Sequence, residues 1–198
     1  MSIHDQEKWD ARYRERVSLA APSSFLTGLD ALLPRHGRAL DVAGGSGRHA
    51  LWLARRGLTV SLADVSEVAL EQASRAAREA GLALTTLQVD LERAPLPAGP
   101  WDLIVCTYFL QRPLFAAFPR ALAPGGWLAL AHATRKNLER HPRPGPDYLL
   151  AERELPTLVR GLEIIQLAEG WFEEGRHEAR LVARNVEAQP QRGISSAA

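Results

Sequence analysis

Cysteine is almost absent from this 198-residue chain, and its scarcity excludes several kinds of protein. Cys106 is the only cysteine, so one chain forms neither an internal disulfide nor a cysteine-based zinc cluster. Redox catalysis at a dithiol is excluded for the same reason. We predict no metal site, and we expect Cys106, which lies inside an apolar run, to be a small core residue.

Long apolar runs and an excess of either charge are also missing. No stretch reaches the roughly 18 apolar residues that a membrane-spanning helix needs, and the first residues lack the apolar core of a signal peptide. The 24 basic and 23 acidic residues give a net charge of +1 without a basic stripe. The sequence therefore predicts a cytoplasmic protein, with neither a membrane nor a nucleic acid as its partner.

Apolar runs alternate with helical patterns from Arg38 onward, which is typical of an α/β fold. Too few residues separate the last two runs for a crossover helix, so these runs must form an antiparallel hairpin. We expect a Rossmann-like seven-stranded sheet, mostly parallel with an antiparallel last strand, and helices on both faces. The predicted strands are residues 39–43, 59–63, 83–89, 101–107, 127–133, 162–168 and 177–184.

Several segments around these strands complete the prediction. Residues 113–122 and 152–159 have helical patterns, whereas the proline-rich and basic residues 135–147 are typical of a polar loop. Trp9 and Tyr13 are about one helical turn apart, so a helix there would carry both rings on one face.

A glycine-rich segment, Asp41 to Gly47, joins the end of the first predicted strand to a helix. Glycine lets the backbone pass close to a ligand, and the free N–H groups of the following helix face the turn. Gly45-x-Gly47-x-x-Ala50 fits the dinucleotide fingerprint, and Asp64 lies about 20 residues further on, where an acid would hold ribose hydroxyls. This pattern alone leaves open whether the ligand is NAD or another adenosine cofactor.

Three features favour a cofactor with a single adenosine. The chain has no second glycine loop, as a dinucleotide fold with two binding halves usually would. Asp90 ends the third predicted strand, where it could accept a hydrogen bond from an adenine amino group. The third feature is the predicted last strand, which runs antiparallel to the others.

These features occur in the same order and spacing in class I S-adenosylmethionine-dependent methyltransferases, which the chain resembles over nearly its whole length. Its opening, residues 7–13, and its ending, residues 169–179, resemble the tellurite-resistance and thiopurine methyltransferase-like group of small bacterial enzymes. Ala43 departs from the family pattern by replacing the first motif glycine. Alanine is tolerable there if the position has a negative φ, and Gly44 supplies extra freedom beside it. The residues that carry the resemblance are 40–47, 64, 90–91, 101–105 and 122–126.

The resemblance implies S-adenosylmethionine as the cofactor and one methyltransferase domain over residues 1–186. Residues 1–34 would be a helical segment or lid, and residues 187–198 are predicted to be a disordered tail. The implied cofactor contacts are Gly45 and Gly47 under the methionine part, Asp64 at the ribose, Asp90 and Leu91 at the adenine, Thr107 and Tyr108 at the methyl end, and Trp9 and Tyr13 in the lid, with Asp41, Ala43 and Val65 beside them.

The implied reaction is methyl transfer to a small molecule, such as a thiol or a tellurium or selenium oxyanion. A soft nucleophile needs little help from a base, whereas an amine or hydroxyl would need one such as His177 or His132. His177 and Arg176, at the start of the last strand, are the predicted catalytic residues. Arg112 and Arg135 are further candidates for steering an anion into the site. The sequence does not predict an oligomeric state.

Other interpretations stay open on the sequence alone. The chain has no Asn-Pro-Pro-Tyr methylation motif, so a non-catalytic sensor that binds S-adenosylmethionine is one alternative. A small NAD(P)-dependent reductase is another, which the single glycine loop and the lack of a Tyr-x-x-x-Lys pair disfavour. Asp41, Asp64 and Asp90 could be ordinary turn or helix-start acids, and Trp9 and Tyr13 ordinary core contacts.

Overall fold

The computed structural model describes residues 3–15 and 19–186, so the predicted tail at 187–198 lies outside the described residues. Seven strands are present in this part of the chain. Numbered in chain order, they are β1 (Arg38–Val42), β2 (Thr59–Asp64), β3 (Leu84–Gln88), β4 (Trp101–Thr107), β5 (Leu122–Ala133), β6 (Glu163–Trp171) and β7 (His177–Arg184).

The strands form one sheet in the order β3-β2-β1-β4-β5-β7-β6. The pairs from β3 to β5 are parallel, whereas β7 is antiparallel to both of its neighbours, β5 and β6. Only residues 172–176 join β6 to β7, which is too short for a crossover connection. The predicted Rossmann-like sheet with one reversed last strand is confirmed.

Six α-helices lie in the described residues, together with three short 3₁₀ helices. None of the helices in 3–15 and 19–186 is long and apolar enough to cross a membrane. The α-helices are α1 (Ile3–Arg14), α2 (Ser24–Gly28), α3 (Arg48–Arg55), α4 (Glu67–Glu79), α5 (Arg112–Phe115) and α6 (Phe118–Ala121), and the 3₁₀ helices are Arg135–Glu139, Pro146–Tyr148 and Leu155–Val159.

Helices cover both faces of the sheet. Successive strand residues point to opposite faces, so each strand contributes to the core on both sides. On β1, Ala39 packs into the core beneath α2, α3 and α4, while Leu40 and Val42 pack into the core beneath α5 and α6. The strands at the centre of the sheet are therefore apolar on both faces, as a parallel sheet requires.

Two predicted helices are shorter than expected, because prolines interrupt them. The helix predicted over residues 113–122 is divided into α5 and α6, and Pro119 removes an N–H and crowds the carbonyl four residues earlier. The helix predicted over 152–159 is a 3₁₀ helix from Leu155, with Pro156 in its first turn. Residues 122–126, which carry part of the family resemblance, belong to the long strand β5.

Candidate functional site

The glycine loop lies at the edge of the sheet where the carboxyl ends of the parallel strands meet. From β1 the order runs outward to β2 on one side and to β4 on the other, so the loop after β1 opens at the point where the strand order reverses. Open α/β sheets bind their ligands at such a switch point.

The loop backbone is left-handed at three positions. φ is +52° at Ala43, +58° at Gly45 and +84° at Gly47. The negative φ under which alanine would be tolerable is therefore not found, and Ala43 is held in a conformation that costs an L-amino acid about 1–2 kcal/mol. A side chain at Gly44 has no room, because its Cβ would lie 2.5 Å from the Asp41 carboxylate and against Leu62.

Asp41 is buried below this loop with one carboxylate oxygen unpaired. Its exposed fraction is 1%, and Oδ2 accepts a hydrogen bond of 3.0 Å from the Ala50 N–H. Oδ1 has no partner. Burial, with the charge of Asp64 nearby, raises the pKa of Asp41 to about 7. A buried acceptor without a partner calls for an explanation, and a bound cation or donor supplies one.

Asp64, at the end of β2, is bound to the loop itself. Its Oδ2 accepts from the Gly45 N–H at 2.8 Å, and its Oδ1 accepts from the Ser66 N–H at 2.9 Å. Burial raises the pKa of Asp64. A carboxylate has about four acceptor positions, so two remain for a diol. Val65 follows directly, between Asp64 and the α4 N-cap Ser66.

Helix α1 lies over the loop and is fastened to the start of α4. The Tyr13 hydroxyl occupies the space that a side chain on Gly45 would need, and Trp9 contacts Tyr13 with ring centroids 6.1 Å apart. Asp10 lies between Trp9 and Tyr13 in the sequence, and its side chain is buried. It accepts hydrogen bonds from Ser66 Oγ at 2.5 Å and from the Val68 N–H at 3.3 Å. Helix α1 thus covers part of the loop, and the role of residues 1–34 as a lid stays a prediction.

The residues after β3 form a turn beside this edge. Asp90 Oδ1 accepts from the Glu92 N–H at 3.0 Å, and Arg93 lies 3.8 Å from its Oδ2. Leu91 is buried in the core beneath α5 and α6. Asp90 is therefore a turn acid by its contacts in this structure, and its adenine-binding role stays a prediction.

His49 joins the N-terminal segment to the end of β4. Its Nε2 accepts from the Ser23 N–H at 3.3 Å, so the proton of the neutral ring lies on Nδ1, which donates to Thr107 Oγ1 at 3.3 Å. Burial, together with the charge of Arg48, lowers the pKa of His49 to about 3. The ring is therefore neutral at physiological pH and positions Thr107.

Tyr108 follows with a left-handed backbone, φ +59°, and a fixed hydroxyl. That hydroxyl donates to Glu178 Oε1 at 2.7 Å, and Arg180 Nε donates to Glu178 Oε2 at 2.9 Å. Glu178 is fully buried. Burial and the Glu178 carboxylate raise the pKa of Tyr108 to about 12, so its phenol stays protonated.

A cavity of about 430 Å³, the arginine cavity, opens beside Tyr108. Among the predicted catalytic residues, Arg176 lines it. His177 does not, because it lies in β7 with its Nδ1 2.7 Å from Thr134 Oγ1 and its ring against Trp171. The arginine cavity is lined by Ala21, Pro22, Ser23, Ser24, Arg48, Tyr108, Glu174 and Arg176.

A larger groove of about 530 Å³ runs along α4 and β3 and contains none of the predicted site residues. Two other candidates also lie away from the arginine cavity. Arg112 is paired with Glu154, and His132 is buried with its Nε2 2.8 Å from the Tyr148 carbonyl oxygen. Neither residue faces the arginine cavity in this structure.

Sequence reasoning missed four residues of this region: Asp10, Arg48, His49 and Glu178. Arg48 and His49 directly follow the glycine motif, so their position was a signal. Glu178 is an acid in an apolar strand pattern, which also marks a buried polar contact. Asp10 had no comparable signal.

A glycine loop at the switch point, with buried acids near the carboxyl ends of β1 and β2, is the arrangement with which Rossmann-like domains bind adenosine cofactors. Residues 39–126 match the family described as methyltransferase domain. A curated relative, the S-adenosyl-L-methionine-dependent Diels-Alderase iccD of Talaromyces variabilis, is 30% identical over 147 residues, which are 70% of this chain and 47% of that protein. The chain thus spans about half the length of this relative.

Solved structures agree on the fold. The structure reported for the conversion of a disulfide bond into a thioacetal group during echinomycin biosynthesis matches with a TM-score of 0.74 and 20% identity, over 94% of both chains. TehB from Haemophilus influenzae matches with a TM-score of 0.70 and 21% identity, over 89% of this chain and 66% of TehB. The resemblance to class I S-adenosylmethionine-dependent methyltransferases is confirmed, with TehB similar in fold, and S-adenosylmethionine is the implied cofactor.

Proposed function

We propose that this protein is an S-adenosylmethionine-dependent methyltransferase that acts on a small molecule, a thiol or a tellurium or selenium oxyanion. The observation that carries the proposal is the buried Asp41 beneath the glycine loop, with one carboxylate oxygen unpaired. The methionine part of the cofactor ends in an ammonium group, which is a suitable partner for that oxygen.

The residues present fit this cofactor. Gly45 and Gly47 have the positive φ that a tight glycine loop requires, and Asp64 keeps acceptor positions for a ribose diol. Helix α1 supports the lid, because Tyr13 already lies against Gly45. The proposed cofactor contacts are Asp41, Ala43, Gly45, Gly47, Asp64, Val65, Asp90, Leu91, Thr107, Tyr108, Trp9 and Tyr13.

Bound S-adenosylmethionine supplies a methyl group on a positively charged sulfur, which an acceptor lone pair takes up while the C–S electron pair stays on that sulfur. The protein then contributes mainly by alignment and by excluding water. Thr107, held by His49, and Tyr108, held by Glu178, give the end of β4 a fixed shape. Arg176 binds the acceptor in this proposal, and a proton-transfer role for His177 stays a prediction.

A second candidate is an S-adenosylmethionine-dependent Diels–Alderase, which the relative from Talaromyces variabilis favours. Both candidates need the cofactor, but only methyl transfer consumes it. Formation of S-adenosylhomocysteine in step with product therefore separates them.

The test starts with calorimetric titration of S-adenosylmethionine, S-adenosylhomocysteine and NAD. We expect the first two to bind and Asp64→Asn to weaken them about tenfold or more, because a charged acceptor is lost. Asp102→Asn is the matched control, since Asp102 also accepts a backbone N–H, from Arg38 at 2.7 Å, but at the opposite end of the sheet. Preference for NAD would refute the proposal.

Turnover is then measured with thiols, selenite and tellurite. Methylated product and S-adenosylhomocysteine in equal amounts support the methyltransferase. Tight cofactor binding without turnover of any of these acceptors would contradict the proposed reaction and favour the sensor or the Diels–Alderase.

A further inference from the structure

Two arginines lie on the ring of one tyrosine in the arginine cavity. The guanidinium carbon of Arg48 is 5.8 Å from the centre of the Tyr108 ring, and that of Arg176 is 5.0 Å from it. Arg48 is the first residue of α3 and Arg176 directly precedes β7, so the fold brings them together from distant parts of the sequence. Tyr108 itself is fixed by its hydrogen bond to Glu178.

These two arginines have no carboxylate partner among residues 3–15 and 19–186. The neighbouring acids are already engaged. Glu178 is bound by Tyr108 and Arg180, and Glu174 by Ser24 and Arg180. The hydrogen bond from Ser24 and the ion pair with Arg180 lower the pKa of Glu174 to about 2. Arg180 therefore pairs with both acids, and neither Arg48 nor Arg176 forms an ion pair with a carboxylate in the described part of the chain.

Among the described residues, the cavity also lacks a free base. The lone pair of His49 Nε2 is used by the Ser23 N–H, and Tyr108 keeps its proton because its pKa is raised to about 12. A neutral amine or alcohol would have no group here to take its proton. A compound that arrives as an anion needs none, and it meets two cations.

We propose that Arg48 and Arg176 form an anion clamp that selects acceptors carrying an oxyanion. This inference rests on the proposed function, and it narrows the acceptor to an anionic one. Guanidinium groups bind carboxylates and other oxyanions through paired N–H donors, and two of them on one rigid ring give a defined seat. The oxyanion is either a carboxylate on a small thiol or an inorganic oxyanion that is itself the acceptor.

The test measures binding without turnover, by calorimetry on the full chain saturated with S-adenosylhomocysteine and on the chain alone. Mercaptoacetate, 2-mercaptoethanol and selenite are the probes. We expect mercaptoacetate or selenite to bind and the neutral thiol to bind at least about tenfold more weakly. The tighter of the two anions identifies the source of the oxyanion.

The variants are Arg48→Gln, Arg176→Gln and the double substitution. Each single change is expected to weaken the anion about tenfold or more, and the double change to abolish its preference over 2-mercaptoethanol. Arg75→Gln, an exposed arginine on α4 in the other groove, is the control and should change nothing. Thermal unfolding verifies that all four variants fold.

Equal binding of mercaptoacetate and 2-mercaptoethanol, or an unchanged anion affinity in the double variant, would overturn the clamp. The two proposals fail in different ways. Arginine-dependent anion binding without any methyl transfer would refute the methyltransferase and keep the clamp. If the parent and the double variant methylate neutral acceptors equally well, the clamp is refuted and the methyltransferase is kept.

Discussion

The two halves of the site are built from different kinds of sequence. The cofactor half, Asp41, Gly44, Gly45, Gly47 and Asp64, comes from a continuous loop and the end of the next strand. The cavity half brings together Ser23, Arg48, His49, Thr107, Tyr108, Glu174, Arg176 and Glu178, from four separate segments.

The halves also differ in charge. Buried acids with raised pKa values characterise the cofactor half, whereas arginines without ion-pair partners in the described part of the chain characterise the cavity half. The residues of the cofactor half are thus close together in the sequence, whereas the proposed acceptor site depends on long-range contacts.

The largest effect is a pair of opposite pH dependences, one in each half. The pKa of Asp41 is 3.8 in the unfolded chain and about 7 in the folded chain, so between these values only the folded chain keeps the proton. The contribution of Asp41 to the unfolding free energy is therefore greatest below pH 3.8 and falls as the pH rises. His49 stays neutral down to about 3, whereas the unfolded chain takes up a proton below 6.5, so its contribution falls as pH drops. Between about pH 4 and 6.5 the two contributions change with pH in opposite directions, so their slopes cancel in the unfolding free energy.

Single substitutions should expose each slope. Asp41→Asn is expected to make the unfolding free energy rise with pH across this window by about 1.4 kcal/mol per unit relative to the parent, and His49→Gln to make it fall by a similar amount. Urea unfolding followed by circular dichroism at a series of pH values measures both. Slopes of the same sign in the two variants would contradict the assigned pKa shifts.

Glu178→Gln should affect the cavity half alone. It keeps the shape of the side chain but removes the charge that Tyr108 and Arg180 bind, so we expect a loss of about 2 kcal/mol in unfolding free energy. The pKa of Tyr108 should fall from about 12 towards its ordinary value of 10, measured by ultraviolet titration of the phenol.

Glu163→Gln on the exposed strand β6 is the control for this change. Affinity for S-adenosylhomocysteine should stay at the parent value in both variants. A large loss of cofactor affinity in Glu178→Gln would show that the two halves are not separable.

The smallest effect is a gain in stability within the cofactor half. Ala43→Gly relieves the positive φ of +52°, and we expect the unfolding free energy to rise by about 1 kcal/mol. Ala54→Gly, inside α3, should lower it by about 1 kcal/mol, because a helix interior disfavours glycine. Thermal unfolding compares the two. If Ala43→Gly lowered the unfolding free energy as Ala54→Gly does, the backbone of Ala43 would not be strained.

The sequence predicted the sheet and the cofactor half because both depend on local patterns. Alternating apolar runs and short connections define strands, and glycine spacing defines the loop after β1. The conformation of Ala43 was not predictable, since the sterically favoured φ for alanine is negative. The division of residues 113–122 could have been anticipated from Pro119.

The cavity half was largely beyond sequence reasoning. Arg176 was identified from the family resemblance, but nothing in the order of residues brings Arg48 to the same ring. Neighbouring positions in a strand face opposite sides of the sheet, which separates Glu178, bound to Tyr108, from His177, bound to Thr134. Such pairings depend on register, and register is set by the whole sheet.

The reversed strand β7 has a consequence for the order in which the molecule is made. Because β7 lies between β5 and β6, its amino end places Arg176 and Glu178 at the site although they are among the last described residues of the chain. On the ribosome, the glycine loop and Asp64 emerge long before these residues. A nascent chain that has not yet reached β7 therefore carries the cofactor half but lacks Arg176 and Glu178, and β6 has no neighbouring strand until β7 is inserted.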